Sequence, residues 1–118
     1  MRAALTLALA VFPLAAGAQA PNCANPVTQA DMNQCSYAAW LAADAELNRL
    51  WGIAKPRADA GGYGRALLDA QRAWIAYRDA ACAAEAAPYA GGSIQPLIVN
   101  SCFERLTLRR NEDLRTGP

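Results

Sequence analysis

The 118-residue chain contains no histidine. That absence removes Ser-His-Asp and Cys-His nucleophile chemistry, imidazole proton shuttles and histidine-based metal centres. An excess of charge is also missing, with 11 Lys+Arg against 10 Asp+Glu. No basic stripe is available to displace counterions from a nucleic acid, and no polybasic segment to hold a membrane surface. No two cysteines stand in C-x-x-C spacing, so a zinc shell has neither its thiolate pair nor an imidazole to complete it. The acids are scattered, and none sits in an apolar stretch that would raise its pKa for general-acid work of the glycosidase kind. The expectation is a protein that is not an enzyme and takes no cofactor and no metal. Beyond the first twenty residues there is no strand-like alternation and no internal repeat.

Those first residues read as an export signal. Arg2 is a minimal positive start, residues 3–16 are an apolar run, and Ala16-Gly17-Ala18 and Ala18-Gln19-Ala20 are two A-x-A cleavage patterns. Cleavage after Ala18 is favoured over cleavage after Ala20, which would put Pro21 next to the scissile bond. The run is shorter than the ~20 residues a spanning helix needs, and Pro13 interrupts it. No cysteine follows it directly, so no lipid anchor is expected. The expected organisation is a signal peptide over 1–18 and one domain over 19–118. The product would be periplasmic or secreted, with no stable membrane insertion after cleavage. Losing Arg2 leaves that domain formally neutral.

Four cysteines in an exported chain of this size read as two disulfides. Three connectivities are open; the sequential one, Cys23–Cys35 and Cys82–Cys102, needs only local loops and is the expected one. The rest of the chain reads as about three helices. Thr28 and Asp31 form a T-x-x-D capping box, and a stripe of Met32, Cys35, Ala39, Ala43, Leu47, Leu50 and Ala54 predicts a helix from 28 to about 54. Pro56 should end it, and residues 57–64 should be a glycine-rich flexible connection. A second helix is expected from about Arg65 to Pro88. A third, capped by Ser93 with Pro96 in its first turn, should run to about Arg115 with Ile98, Cys102, Leu106 and Arg109 on one face. The fold class is all-α: a small antiparallel bundle or hairpin stapled by two disulfides.

The segment LDAQRAWIAYRDAAC, residues 68–82, carries the most information. Wound as a helix it places Gln71, Trp74, Ile75, Arg78 and Cys82 on one side, part core and part charge. Gln71, Arg72 and Arg78 can be read as a contact surface, since Arg and Trp dominate binding hot spots. They can also be internal: Arg78 paired with Asp44 or Glu85, and Gln71 capping a buried polar group. The internal reading is favoured for a charged residue beside Trp74 and Cys82. Trp40, Trp51 and Trp74 fit a core, Tyr77 and Tyr89 an exposed surface, and Arg109-Arg110 a solvated face near a helix C-terminus.

With those helices placed, the sequence resembles the LprI-type lysozyme-inhibitor family of small exported bacterial proteins. The matching residues are Asp44, Leu47, Asn48 and Trp51, then Ala70-Gln71-Arg72-Ala73-Trp74-Ile75, Tyr77-Arg78-Asp79 and Cys82, with Gly91-Gly92-Ser93, C-x-x-x-LT from Cys102 to Thr107, Arg110 and Leu114. The resemblance implies a helical, disulfide-bonded envelope protein that binds lysozyme-type muramidases and occludes their active cleft. Gly91, Gly92 and Ser93 are the expected inhibitory element, because small residues let a backbone enter a narrow cleft and a hydroxyl can meet its carboxylates. Gln71, Arg72, Tyr77 and Arg78 are the further expected partner-binding residues. The plainer reading of Gly91-Gly92-Ser93 is a turn whose serine caps the next helix. The alternative function is a periplasmic structural or adaptor module that binds another envelope protein.

Overall fold

The computed structural model describes residues 20–117. The export signal expected over 1–18 lies outside them. Three helices carry the fold: α1 (Gln29–Ala60), α2 (Gly64–Ala86) and α3 (Gln95–Thr116), with a single 3-10 turn, Ala87–Tyr89, closing α2.

Helix α1 starts where the capping box puts it. The Thr28 hydroxyl accepts from the Asp31 amide at 3.0 Å, and the Asp31 carboxylate accepts from the Thr28 amide at 3.2 Å. The expected break at Pro56 does not occur, and α1 continues to Ala60. Pro56 and Gly52, the residue whose carbonyl Pro56 cannot satisfy, both lie on the exposed face where water can serve that carbonyl. On the opposite face Ala58 is fully buried against Leu50, Leu67 and Leu114, so packing holds the last turn. The connection is therefore not residues 57–64 but Gly61, Gly62 and Tyr63, with Gly62 at φ 83° making the turn.

Sequential helices run antiparallel. Cys82 of α2 bonds Cys102 of α3, while Gln71 nearer the start of α2 meets Arg110 nearer the end of α3. α1 and α3 consequently run in the same direction, with Asn33 opposite Ser93, Ala43 opposite Asn111 and Glu46 opposite Arg115. Both disulfides pair sequentially, as expected: Cys23–Cys35 fastens the N-terminal segment to α1, and Cys82–Cys102 staples α2 to α3.

The core has two parts. Leu47, Leu50, Ala58, Leu67 and Leu114 form one cluster, with Trp51, Ala54, Tyr63 and Trp74 packed against it. Cys82, Cys102 and Leu106 form the other, flanked by Ala81 and Phe103. Burying each large aliphatic side chain stabilises by about 1.5–3 kcal/mol. Between the parts runs a polar seam along α1 and α3. Asn100 Nδ2 donates to the Asn33 carbonyl at 3.3 Å and to Ser36 Oγ at 3.2 Å, and Asn111 Nδ2 donates to the Ala43 carbonyl at 3.0 Å. Thr107 and Asn111 are 0% exposed, the two largest fully buried side chains in the described residues. This seam shifts the buried stripes. Ser36, not Met32 or Cys35, is the buried residue of the first turns of α1. On α3, Arg109 is exposed and off the face it was expected to share, while Thr107, Asn111 and Leu114 extend that face.

Glu46 fastens the far end of the seam. Its carboxylate accepts from Arg49 at 2.8 Å and from Arg115 of α3 at 3.1 Å. Those two guanidiniums, Arg49 foremost, lower its pKa from the ordinary 4.5 to about 2.

Candidate functional site: an interhelical groove and a glycine tip

α1 and α2 diverge on the side away from the seam and leave an open groove of about 440 Å³. Asp44, Leu47, Asn48 and Trp51 form its α1 wall; Leu68, Gln71, Arg72, Ile75 and Arg78 form its α2 wall. All of these except Leu68 are among the residues that carry the family resemblance. The helical repeat explains the arrangement, since 44, 47, 48 and 51, and likewise 68, 71, 72, 75 and 78, recur at three- and four-residue steps on one face.

The groove is chemically mixed. Leu47, Trp51, Leu68 and Ile75 supply apolar surface, and Ile75 is exposed within it. Among the described residues Asp44 forms no ion pair and takes only a long 3.4 Å bond from the Asn48 amide. Arg72 is exposed and forms neither an ion pair nor a side-chain hydrogen bond among the described residues. The remaining polar groups are committed elsewhere. Gln71 is buried, and its Oε1 accepts from Arg110 Nε of α3 at 2.9 Å, which is the internal capping role read from the sequence. That bond also makes Arg110 half-buried, where a solvated face was expected; Arg109 alone is exposed.

Arg78 is internal too, but with different partners from those expected. It pairs with its neighbour Asp79 at 2.8 Å, and its guanidinium lies 5.3 Å from the Trp74 ring centroid and 5.0 Å from that of Phe103. Its side chain is only 13% exposed. Two aromatic faces hold the cation at the α2–α3 contact, and it forms no ion pair with Asp44. Glu85 is taken by Arg105 of α3 at 2.6 Å.

The second candidate lies at the α2–α3 connection. Gly91, Gly92 and Ser93 are exposed, and exposed Tyr89 stands just before them. Gly91 has φ 78°, a conformation natural for glycine. The tip is held from three sides: Gly92 N–H donates to the Tyr89 carbonyl at 2.9 Å, Gly91 N–H to Gln95 Oε1 at 3.2 Å, and Asn33 Nδ2 of α1 to the Ser93 carbonyl at 2.8 Å. Ser93 does not cap α3. The helix begins at Gln95 with Ile94 as N-cap and no side-chain cap bond. Asn33 fixes the Ser93 backbone one residue too early for capping, and the Ser93 hydroxyl is left without a bond among the described residues.

The seven residues singled out as partner-binding are thus separated. Gln71, Arg72 and Arg78 come together in the groove, Gly91, Gly92 and Ser93 form the tip, and Tyr77 is 61% exposed on α2 outside both. Sequence reasoning did not bring Asp44 and Asn48 to the groove as site residues. Their i, i+4 spacing beside Leu47 and Trp51 was the available signal. Trp51 and Trp74 are half-buried against the core, as expected. Trp40 instead packs on Phe103 at 5.1 Å and edge-on to Tyr37 at 5.6 Å. Among the described residues no group of three or more His, Cys, Asp or Glu could hold a metal ion, and no helix is long and apolar enough to cross a membrane.

Comparison with known proteins bears on both features. The family model described as "Lysozyme inhibitor LprI" matches residues 21–114. An uncharacterized protein of Rhizobium meliloti (strain 1021), R02472, is 36% identical over 107 residues, covering 80% of this chain and 77% of its own. No solved structure matches the chain.

Proposed function

The chain belongs to the LprI family, and from that premise we propose that it is an exported, non-enzymatic protein that binds a lysozyme-type muramidase and blocks its cleft with the Gly91-Gly92-Ser93 tip. The observation that carries this reading is the uncommitted Ser93 hydroxyl at the head of a tip whose backbone is fixed in advance. A preformed tip loses little conformational freedom on binding, and small residues let it pass between the walls of a cleft. The hydroxyl can then donate to one of the two carboxylates by which such enzymes cleave glycosidic bonds. Two disulfides suit an oxidising compartment, which supports a periplasmic or secreted location. A groove with the single carboxylate of Asp44 offers no acid pair, which supports a binding role without turnover.

The test is a turbidity assay of cell-wall lysis with chicken-, goose- and invertebrate-type lysozymes. The mature protein slows lysis by at least one of them, and Ser93→Tyr weakens the inhibition without lowering the melting temperature. Unchanged lysis at large molar excess against all three removes the proposal, and a fully inhibitory Ser93→Tyr variant removes the tip from it.

A further inference from the structure

We propose that the groove between α1 and α2 is a second binding site, separate from the glycine tip, for a zwitterion with an apolar side chain: an amino acid or the free ends of a short peptide. The groove presents two opposite charges on facing walls, and neither is neutralised among the described residues. Among the described residues Asp44 on α1 has only the 3.4 Å amide contact from Asn48, and Arg72 on α2 has no side-chain partner. They do not pair with each other across the gap. The other guanidinium of the groove, Arg78, is already satisfied by Asp79 and two aromatic rings, so Arg72 is the cation left for a ligand. Leu47, Trp51, Leu68 and Ile75 supply apolar wall alongside the two charges.

Charge decides the ligand class. A carboxylate can be taken by the Arg72 guanidinium through paired N–H donors, and an ammonium by the Asp44 carboxylate. A neutral sugar would cover both protein charges and neutralise neither, which costs desolvation without return. A phosphate or fatty acid would satisfy Arg72 and confront Asp44 with a like charge. Only a ligand bearing both signs meets both walls, and the apolar surface selects an aliphatic or aromatic side chain. The volume, about 440 Å³, lies within the range of roughly 300–1,000 Å³ that small-molecule sites occupy.

The experiment is a two-dimensional amide NMR titration of the mature, disulfide-bonded protein with alanyl-leucyl-alanine at millimolar concentration. Its C-terminal amide, its N-acetyl form and free leucine are titrated in parallel. The tripeptide produces saturable shifts at Asn48, the Trp51 indole, Arg72 and Ile75. Capping either end weakens binding by about tenfold or more, the effect of losing one charge-assisted contact. Arg72→Gln abolishes the preference for the free acid over the amide, and Asp44→Asn abolishes the preference for the free amine over the acetylated form. Saturable binding by leucine identifies a single amino acid as sufficient; binding by the tripeptide alone identifies peptide ends. The capped peptides test the idea on the unaltered protein, whatever the variants do to folding. No saturable shift by any probe, shifts centred outside the groove, equal affinity for capped and free peptides, or shifts that report self-association would each overturn it. Because the tip contributes no residue to the groove, failure here leaves the lysis assay unaffected, and the reverse holds.

Discussion

Asn111 of α3 donates its side-chain amide to the main-chain carbonyl of Ala43 on α1 at 3.0 Å, and Asn111 is completely buried. Because α1 and α3 run in parallel, this bond fixes their register in a way that interchangeable apolar contacts would not. It is the centre of a seam that also includes Asn33, Ser36, Asn100 and Thr107. Asn111→Ala removes the bond and leaves a void, and is expected to cost about 2–3 kcal/mol in urea unfolding. Asn111→Asp keeps the volume but replaces the donor with a buried carboxylate that faces the Ala43 carbonyl and has no donor to stabilise it, and should cost more than the alanine variant near neutral pH. Equal midpoints for wild type and Asn111→Ala would show that the seam does not set stability.

The two disulfides should differ in worth despite similar loop lengths. Separations of 12 and 20 residues each correspond to about 3 kcal/mol in the chain-entropy account. Cys82 and Cys102 are buried between α2 and α3, so the paired alanine variant Cys82→Ala with Cys102→Ala loses the bridge and a packed contact. It is expected to lose the full ~3 kcal/mol. Cys23 lies on an exposed segment, which can fray in the folded protein once its bridge is gone. The folded state then regains entropy as well, and the paired Cys23→Ala, Cys35→Ala variant should lose clearly less. Thermal unfolding of the two double variants measures the difference.

Acid should weaken the link between α1 and α3 at Glu46 and the cap at the start of α1. The Glu46 pKa is lowered from 4.5 to about 2 by Arg49 and Arg115, and that of Asp31 is lowered by its bonds to the Thr28 amide and hydroxyl. A carboxylate whose folded-state pKa is depressed contributes stability above its unfolded value, and that contribution is lost as pH falls through the folded one. Stability from Glu46 is therefore complete above about pH 4.5 and declines toward about pH 2. Glu46→Gln should flatten this limb of the stability–pH curve relative to wild type while leaving the shape above pH 5 unchanged, as followed by circular dichroism. An identical acid limb in the variant would assign the loss to other carboxylates.

Two glycines make opposite predictions for the same substitution. Gly52 lies in the exposed middle of α1, and a methyl group there meets nothing within 4 Å. Gly52→Ala is expected to stabilise by about 0.5–1 kcal/mol through helix propensity. Gly64 opens α2 in a buried position, and an added Cβ would collide with the Asp59 carboxylate and press on the Asp59 Cα at 3.1 Å. Gly64→Ala should therefore lower the melting temperature. Opposite signs in one thermal-melt series confirm that the turn packs α2 directly onto the end of α1.

Much of this was readable in advance where a local signal exists. The Thr28–Asp31 capping box, the three helices, the sequential disulfides and the exposed Tyr77 and Tyr89 follow from patterns only a few residues long. The misreadings share a physical cause, namely tertiary packing overriding a local rule. Pro56 reads as a stop, yet the burial of Ala58 carries α1 past it. Ser93 reads as a cap, yet Asn33, sixty residues away, claims its carbonyl. Asn100 and Asn111 carry no local signal of their place, because nothing in their neighbourhood announces that α1 carbonyls will face them. The candidate site divides in the same way. Gln71, Arg72 and Arg78 stand out within one helix, whereas the placing of Asp44 and Asn48 opposite them depends on how two helices splay.

The bridge between Cys82 and Cys102 encloses the whole glycine tip in a covalent ring. A backbone cut anywhere inside that ring, including at the small exposed residues a protease would reach first, leaves both fragments attached to each other. Nicked protein would migrate as one species until a reductant is added. This exposed tip is thus one whose scission cannot release either helix.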